Sequence, residues 1–186
     1  MSRKPFVIGI SGGTCSGKST LAQTIEESLA GKHRIVTLHL DDYYDWSAMT
    51  TTAPLTRIEY PEHNHPAAVN TDRIYSDLSA AISDERNDIV LVEGLFTLYF
   101  EPLREKMDLK IYVDLRSDER LYRRVKRDMV REEPDDSIAT RYLDTVRYRH
   151  DEFVEPTRWY ADLIVNGTID LHKGTEIILS YIDTQI

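Results

Sequence analysis

The sequence predicts an α/β domain with a mainly parallel, five-stranded sheet flanked by helices. Three observations carry that prediction. Short runs rich in Val, Ile and Leu alternate with amphipathic stretches from end to end, as in parallel strands joined by crossover helices. A glycine-rich turn, Gly12-Gly13-Thr14-Cys15-Ser16-Gly17-Lys18-Ser19, separates the first apolar run from the first amphipathic one. The 186 residues, 41% apolar and 30% charged, suit one ordinary soluble domain and leave little room for a second.

The predicted strands are 6–10, 34–40, 89–92, 109–113 and 163–165. Each is short and apolar, as a strand covered on both faces requires. The predicted helices are 18–29, 71–83, 102–106, 117–130, 136–160 and 173–182. Thr71 and Ser117 are candidate caps, because acidic residues follow each closely. Residues 45–69, with Pro54, Pro61 and Pro66, have no clean period and read as a long surface excursion. Long loops in compact domains are more often functional than short ones, so acceptor recognition is expected across about 42–70.

Composition excludes several classes. The single cysteine, Cys15, cannot form an internal disulfide, and a reducing cytoplasm is the expected location. No stretch approaches the roughly 18 apolar residues of a membrane span, and the first residues lack a signal-peptide core. With 23 Lys and Arg against 32 Asp and Glu, the net charge of −9 argues against nucleic-acid or anionic-membrane partners.

The turn at 12–19 is a full match to G-x-x-x-x-G-K-[ST] in its proper setting, after a strand and before a helix. Glycines let successive backbone N–H groups turn inward around a phosphate, and the helix N-terminus adds a favourable field. Lys18 supplies a cation to the β- and γ-phosphates, and the Ser19 hydroxyl can ligate Mg²⁺. The backbone of Gly12, Gly13, Thr14, Cys15, Ser16, Gly17 and Thr20 completes the nucleotide cradle. Cys15 matters there through its amide, since no partnering base for its thiol is apparent. A chance glycine-rich turn is the plainer alternative and is improbable in this context. No Asn-Lys-x-Asp run exists for guanine recognition, and no apolar strand ends in Asp-Glu as in a motor. A small kinase is the favoured reading.

Further segments sharpen it. Gly9-Ile-Ser-Gly-Gly-Thr-Cys-Ser-Gly-Lys-Ser-Thr20, Leu40-Asp-Asp-Tyr-Tyr44, Val92-Glu-Gly94, Arg123-Arg-Val-Lys-Arg-Asp128 and Pro156-Thr-Arg-Trp-Tyr-Ala-Asp162 together resemble the uridine kinase family. That family belongs to the P-loop kinase group that includes phosphoribulokinase and nicotinamide riboside kinase. The resemblance runs over nearly the whole chain in the correct order.

It implies ATP as phosphoryl donor, Mg²⁺ as cofactor and the 5′-hydroxyl of uridine or cytidine as default acceptor. Asp41 is expected to orient that hydroxyl and take its proton, although a pair of solvated turn carboxylates is the plainer reading of Asp41 and Asp42. Asp42 points elsewhere if the strand continues. Tyr43, Tyr44, Asn64 and His65 are expected near the acceptor, the two tyrosines being equally explained by packing. Glu93, at a strand end beside the P-loop, is expected to hold Mg²⁺ with Ser19, or to cap the following turn. An Arg-rich helical lid is expected at about 117–140. There Arg120, Arg124, Arg127 and Arg131 share one face, and the last three match the family's phosphate-contacting positions. Arg124 and Arg127 are the catalytic candidates, Arg124 also touching acceptor and Arg131 the nucleotide.

The chain departs from the family at three places. The hairpin that reads the pyrimidine has no counterpart, since only 80–88 separates helix from strand. The family's Asp-His-Pro appears as Asn64-His65-Pro66, and Glu132-Glu133-Pro134 occupies a shortened lid. These bear on base specificity more than on phosphoryl transfer. His63 and His65 form an i,i+2 pair without a third ligand, which is usually not a metal site. The alternatives are a nicotinamide riboside kinase, another small-molecule kinase of the group, or a nucleotide-binding regulatory protein with weak catalysis. The expected partners are therefore ATP and a nucleoside-like acceptor, with homo-oligomerisation left open.

Overall fold

The computed structural model describes residues 4–45, 49–130, 135–168 and 171–186. Strand β1 (Phe6–Gly12) runs through the glycine-rich turn into α1 (Lys18–Leu29), and β2 (Ile35–His39) follows. A small hairpin, β3 (Thr50–Thr52) and β4 (Glu59–Pro61), precedes α2 (Thr71–Ser83) and β5 (Ile89–Glu93). Then come α3 (Glu101–Arg104), β6 (Leu109–Asp114) and α4 (Ser117–Met129). From Asp135 the chain is helical through Tyr160 and includes α5 (Asp135–Arg141) and α6 (Arg147–Arg149); β7 (Leu163–Asn166) and α7 (His172–Gln185) complete it.

The main sheet has the order β2-β5-β1-β6-β7, and every pairing is parallel. Its two faces are both covered, which is why the strands read as unbroken apolar runs. On one face Val7, Val90, Val92 and Tyr112 pack with Ile74, Leu78 and Phe96. On the other Ile8, Ile10, Leu91 and Val113 pack with Leu21, Ile25 and Ile178. With β1 central, the glycine-rich turn leaves the sheet at its carboxyl edge, where α/β folds place ligands.

Differences from the sequence reading are local. Two π-helical turns, Tyr142–Val146 and His150–Val154, interrupt the helix expected at 136–160, and a 3₁₀ segment, Glu155–Tyr160, ends it. The wider turns bring Tyr142, Asp144, Thr145 and His150 all inward. Helix α2 is capped by Asn70, whose side-chain oxygen accepts from the Arg73 amide, not by Thr71. Ser117 is the first residue of α4, and no side chain caps that end; Asp118 and Glu119 complement the helix dipole instead. Strand β2 does not continue into Asp41. A 3₁₀ turn, Leu40–Tyr43, intervenes.

The excursion expected to lack regular structure carries the β3–β4 hairpin, with Thr51 opposite Tyr60. Strands of three residues are too short to show a period. Instead, the hairpin is fastened to the 135–160 helical segment. The buried Glu62 carboxylate takes a 2.9 Å bond from Arg149 Nε, and Arg141 Nη2 donates to the Pro61 carbonyl at 3.1 Å. The Thr56 hydroxyl bonds the buried Asp144 carboxylate. Removing one member of a buried ion pair typically costs about 3–5 kcal/mol. Glu62→Gln should fall at the lower end of that range, because Arg149 is 26% exposed and keeps Glu152. Thermal denaturation reads this cost, and an apolar pair at 62 and 149 should recover much of it.

Candidate active site

The phosphate cradle is built by the backbone from Gly12 to Lys18. Gly17 has φ +107°, a left-handed conformation that favours glycine, and it caps α1 without any side-chain bond. The first N–H groups of α1 therefore remain available to an anion. The Ser16 amide donates to the Gly13 carbonyl at 3.1 Å and closes the turn, with Cys15 at φ +57° between them. Ser16 is fully buried, and a side chain at Gly13 would meet the Arg120 guanidinium at 2.6 Å. A mouth of about 360 Å³ opens over the cradle and is lined by Cys15, Lys18, Ser19, Thr20, Arg123 and Arg127.

Beside the cradle, Ser19 Oγ donates to Glu93 Oε2 at 3.1 Å, and His39 Nδ1 lies 3.0 Å from Glu93 Oε1. The parallel register places His39 opposite Glu93, so neighbouring strand ends present both side chains together. Glu93 is 4% exposed, and a carboxylate with a hydroxyl is the hard-oxygen donor set that suits Mg²⁺. Among the described residues no three His, Cys, Asp or Glu side chains cluster as a metal cage.

A second cleft, about 420 Å³, extends from Lys18 past Asp41, Tyr44 and Asn64 to Arg124 and Arg141. Asp41 is reachable from the cleft, yet the surrounding protein partly desolvates it. Burial raises its pKa above the ordinary Asp value, and Glu93 and Asp42 add to the rise, while Lys18 and Arg127 oppose it. Tyr44 is buried in the wall, with its phenol pushed well above the usual range, chiefly by burial.

Two expected acceptor residues sit elsewhere. Tyr43 is buried in the core, donates to Asp77 at 2.9 Å and has its pKa pushed up to about 12, mainly by burial. His65 accepts from the Ala67 amide at 3.1 Å and packs edge-on against Phe153.

On α4, Asp128 is 5% exposed and gathers Arg127 at 2.7 Å and Arg124 at 3.5 Å. Arg124 also reaches the Thr14 hydroxyl at 3.3 Å, tying the helix to the cradle. Burial lowers the Arg124 pKa, and Arg127 and Arg141 lower it further by like charge, against Asp128. Arg120 differs from its neighbours on that face. It is 4% exposed, donates to the Leu115 carbonyl and supports the cradle from behind. Arg131 and 132–134 lie outside the described residues.

Several site residues were missed in the sequence. A hollow of about 480 Å³ adjoins the cradle, walled by Thr20, Thr24, Arg123, Gly167, Thr168 and Leu171. The signal was the Gly167-Thr168 pair, which follows the last strand at the sheet's carboxyl edge. His63 and Arg141, which line the acceptor cleft, carried no motif signal.

A parallel sheet with this phosphate cradle, strand-end carboxylates and an arginine-bearing helix over the mouth defines a P-loop kinase fold. The particular family follows from comparison. Residues 56–171 match the model of the Phosphoribulokinase / Uridine kinase family, and the chain belongs to that family. It is 33% identical to a uridine kinase of Bacillus pumilus, over 99% of this chain and 97% of that one. It is 36% identical to a uridine kinase of Limosilactobacillus reuteri, over 88% and 84%. The fold resembles a Bacillus stearothermophilus structure described as a possible uridine kinase, with a TM-score of 0.54 and 16% identity over 88% and 90% of the two chains. Family and relatives make this chain an ATP-dependent kinase acting on an alcohol. Among the described residues no helix is long and apolar enough to cross a membrane.

Proposed function

We propose that this kinase transfers the γ-phosphoryl group of ATP to the 5′-hydroxyl of a nucleoside, with uridine and cytidine as the default acceptors. The observation that carries this is one cleft in which Asp41 faces Lys18 and Arg127 beside the phosphate cradle. ATP lays its phosphates along 12–19 and its base in the hollow against Arg123 and Thr168. Ser19 and Glu93 would hold Mg²⁺, which would neutralise charge on the phosphates. Asp41 orients the acceptor hydroxyl and takes its proton, and Arg124 and Arg127 stabilise the charge spread over the moving phosphoryl group.

A purely regulatory nucleotide-binding role is disfavoured because Lys18, Asp41 and Glu93 are all kept in reach of one another. Initial rates with labelled ATP against a panel of nucleosides test the reading directly.

Base selectivity should be loose. Helix α2 passes to β5 through 84–88 alone, leaving no room for a base-reading hairpin there. Strong rejection of a wrong base requires buried polar groups that it would leave unpaired; looser shape contacts give about 1–3 kcal/mol. Swapping the base should therefore slow the reaction, whereas a 5′-deoxy acceptor should be inert. A kcat/KM preference above about 10⁴ for one base would contradict this.

A further inference from the structure

The acceptor cleft carries more cations than carboxylates. Lys18, Arg124, Arg127 and Arg141 line it, against the carboxylates of Asp41 and Asp128 alone. Asp128 is already committed to Arg124 and Arg127. Lys18 and Arg127 are the cations that bear most strongly on Asp41, at the reacting end. Arg141 bears instead on Arg124 and on His63. It stands at the end of α5, with one guanidinium nitrogen on the Pro61 carbonyl and the group 5.7 Å from the Tyr60 ring centroid. Elsewhere in the helical segment Arg149 has Glu62 and Glu152, and Arg158 has Asp114 and Glu155; Arg147 meets the Tyr148 side chain instead, but it does not line the cleft. Among the described residues Arg141 has no carboxylate within ion-pair distance. A guanidinium that lines a ligand cleft and has no carboxylate partner among the described residues suits an anion. The hairpin contact fixes its direction beforehand, so little side-chain freedom is lost when the anion arrives.

We propose that the preferred acceptor carries a negatively charged group, a carboxylate or phosphate, remote from the hydroxyl that is phosphorylated, and that Arg141 binds it with Asn64 and His63 alongside. This rests on the kinase reading above and departs from it in the acceptor, placing an anionic one ahead of uridine and cytidine. A charge-assisted bond of this kind is worth about 10–100-fold in specificity.

Three matched acceptor pairs test it: uridine with 5-carboxyuridine, nicotinamide riboside with nicotinate riboside, and glycerol with D-glycerate. The carboxylate member of at least one pair should be favoured in kcat/KM by about 10-fold or more. That preference should shrink as salt rises, collapse toward unity in Arg141→Gln, and largely survive in Arg141→Lys. The lysine variant separates loss of charge from loosening of the hairpin.

Equal or reversed preference in all three pairs overturns the proposal, as does turnover of no member. So does an Arg141→Gln enzyme that loses both members of a pair equally while its KM for ATP rises, since Arg141 would then serve the nucleotide. Preference for D-glycerate without turnover of any riboside would leave the proposal standing and remove the nucleoside reading instead.

Discussion

Replacing Lys18 with Ala is expected to abolish phosphoryl transfer while leaving the chain folded. Lys18 lines both the mouth over the cradle and the acceptor cleft, so its ammonium can follow the phosphoryl group between them. It contributes nothing to either apolar core. Losing one preorganised charge-stabilising donor typically costs about 10²–10³ in kcat, and a full cation facing developing charge belongs at or beyond the upper end. Initial rates with labelled ATP read the loss, and circular dichroism melting reads the retained fold. A variant that keeps near wild-type kcat would remove the P-loop kinase mechanism.

Asp41→Asn should separate catalysis from stability. The amide keeps shape and hydrogen bonding but cannot accept the hydroxyl proton, and loss of a positioned base costs about 10²–10⁴ in rate. ATP binding should survive, since the phosphates are held by the backbone of 12–19. The fold should gain. Asp41 titrates above its unfolded value, so the native state binds its proton more tightly than the unfolded chain does. Its contribution to stability is therefore lost as pH climbs from the unfolded pKa through the raised native one, and above that window ionised Asp41 is a constant penalty. The asparagine variant should melt at or above wild type at pH 7, with the advantage vanishing below the unfolded pKa. In the wild type, the acid limb of kcat/KM, which reports the free enzyme, should lie above the ordinary Asp range. A rate loss under tenfold would mean that Asp41 is not the base.

Motifs whose chemistry depends on consecutive backbone were readable from residues alone. The turn at 12–19 and the five apolar runs needed only glycine placement and burial on both faces. The place of Glu93 was readable because strand ends on one sheet edge converge, whereas Asp41 lies in the 3₁₀ turn after β2 and was singled out through the family resemblance. What could not be read depends on contacts between segments distant in sequence. Glu62 and Arg149 become an ion pair only once the hairpin meets the 135–160 segment, and neither residue type is unusual in a loop or helix. Tyr43 and Tyr44 are adjacent and alike, yet the turn after β2 sends one to Asp77 in the core and the other into the cleft wall. The two π turns were hidden because a helical period continues on either side of them.

The strand order also constrains how the molecule comes into being. Phe6 pairs with Ile89, Ile8 with Leu109, Ile35 with Ile89 and Ile111 with Leu163, so every partner lies more than fifty residues away. During synthesis β1 emerges first, and none of its neighbours exists until β5 has been made. The nascent chain must therefore carry an unpaired, largely apolar strand through nearly half of translation, and long loops must close before any ladder rewards them. Refolding should accordingly be slow for a chain of this size, and a fragment ending before β5 should aggregate or recruit a chaperone. The glycine-rich turn, first in the sequence, is among the last features to acquire its working shape.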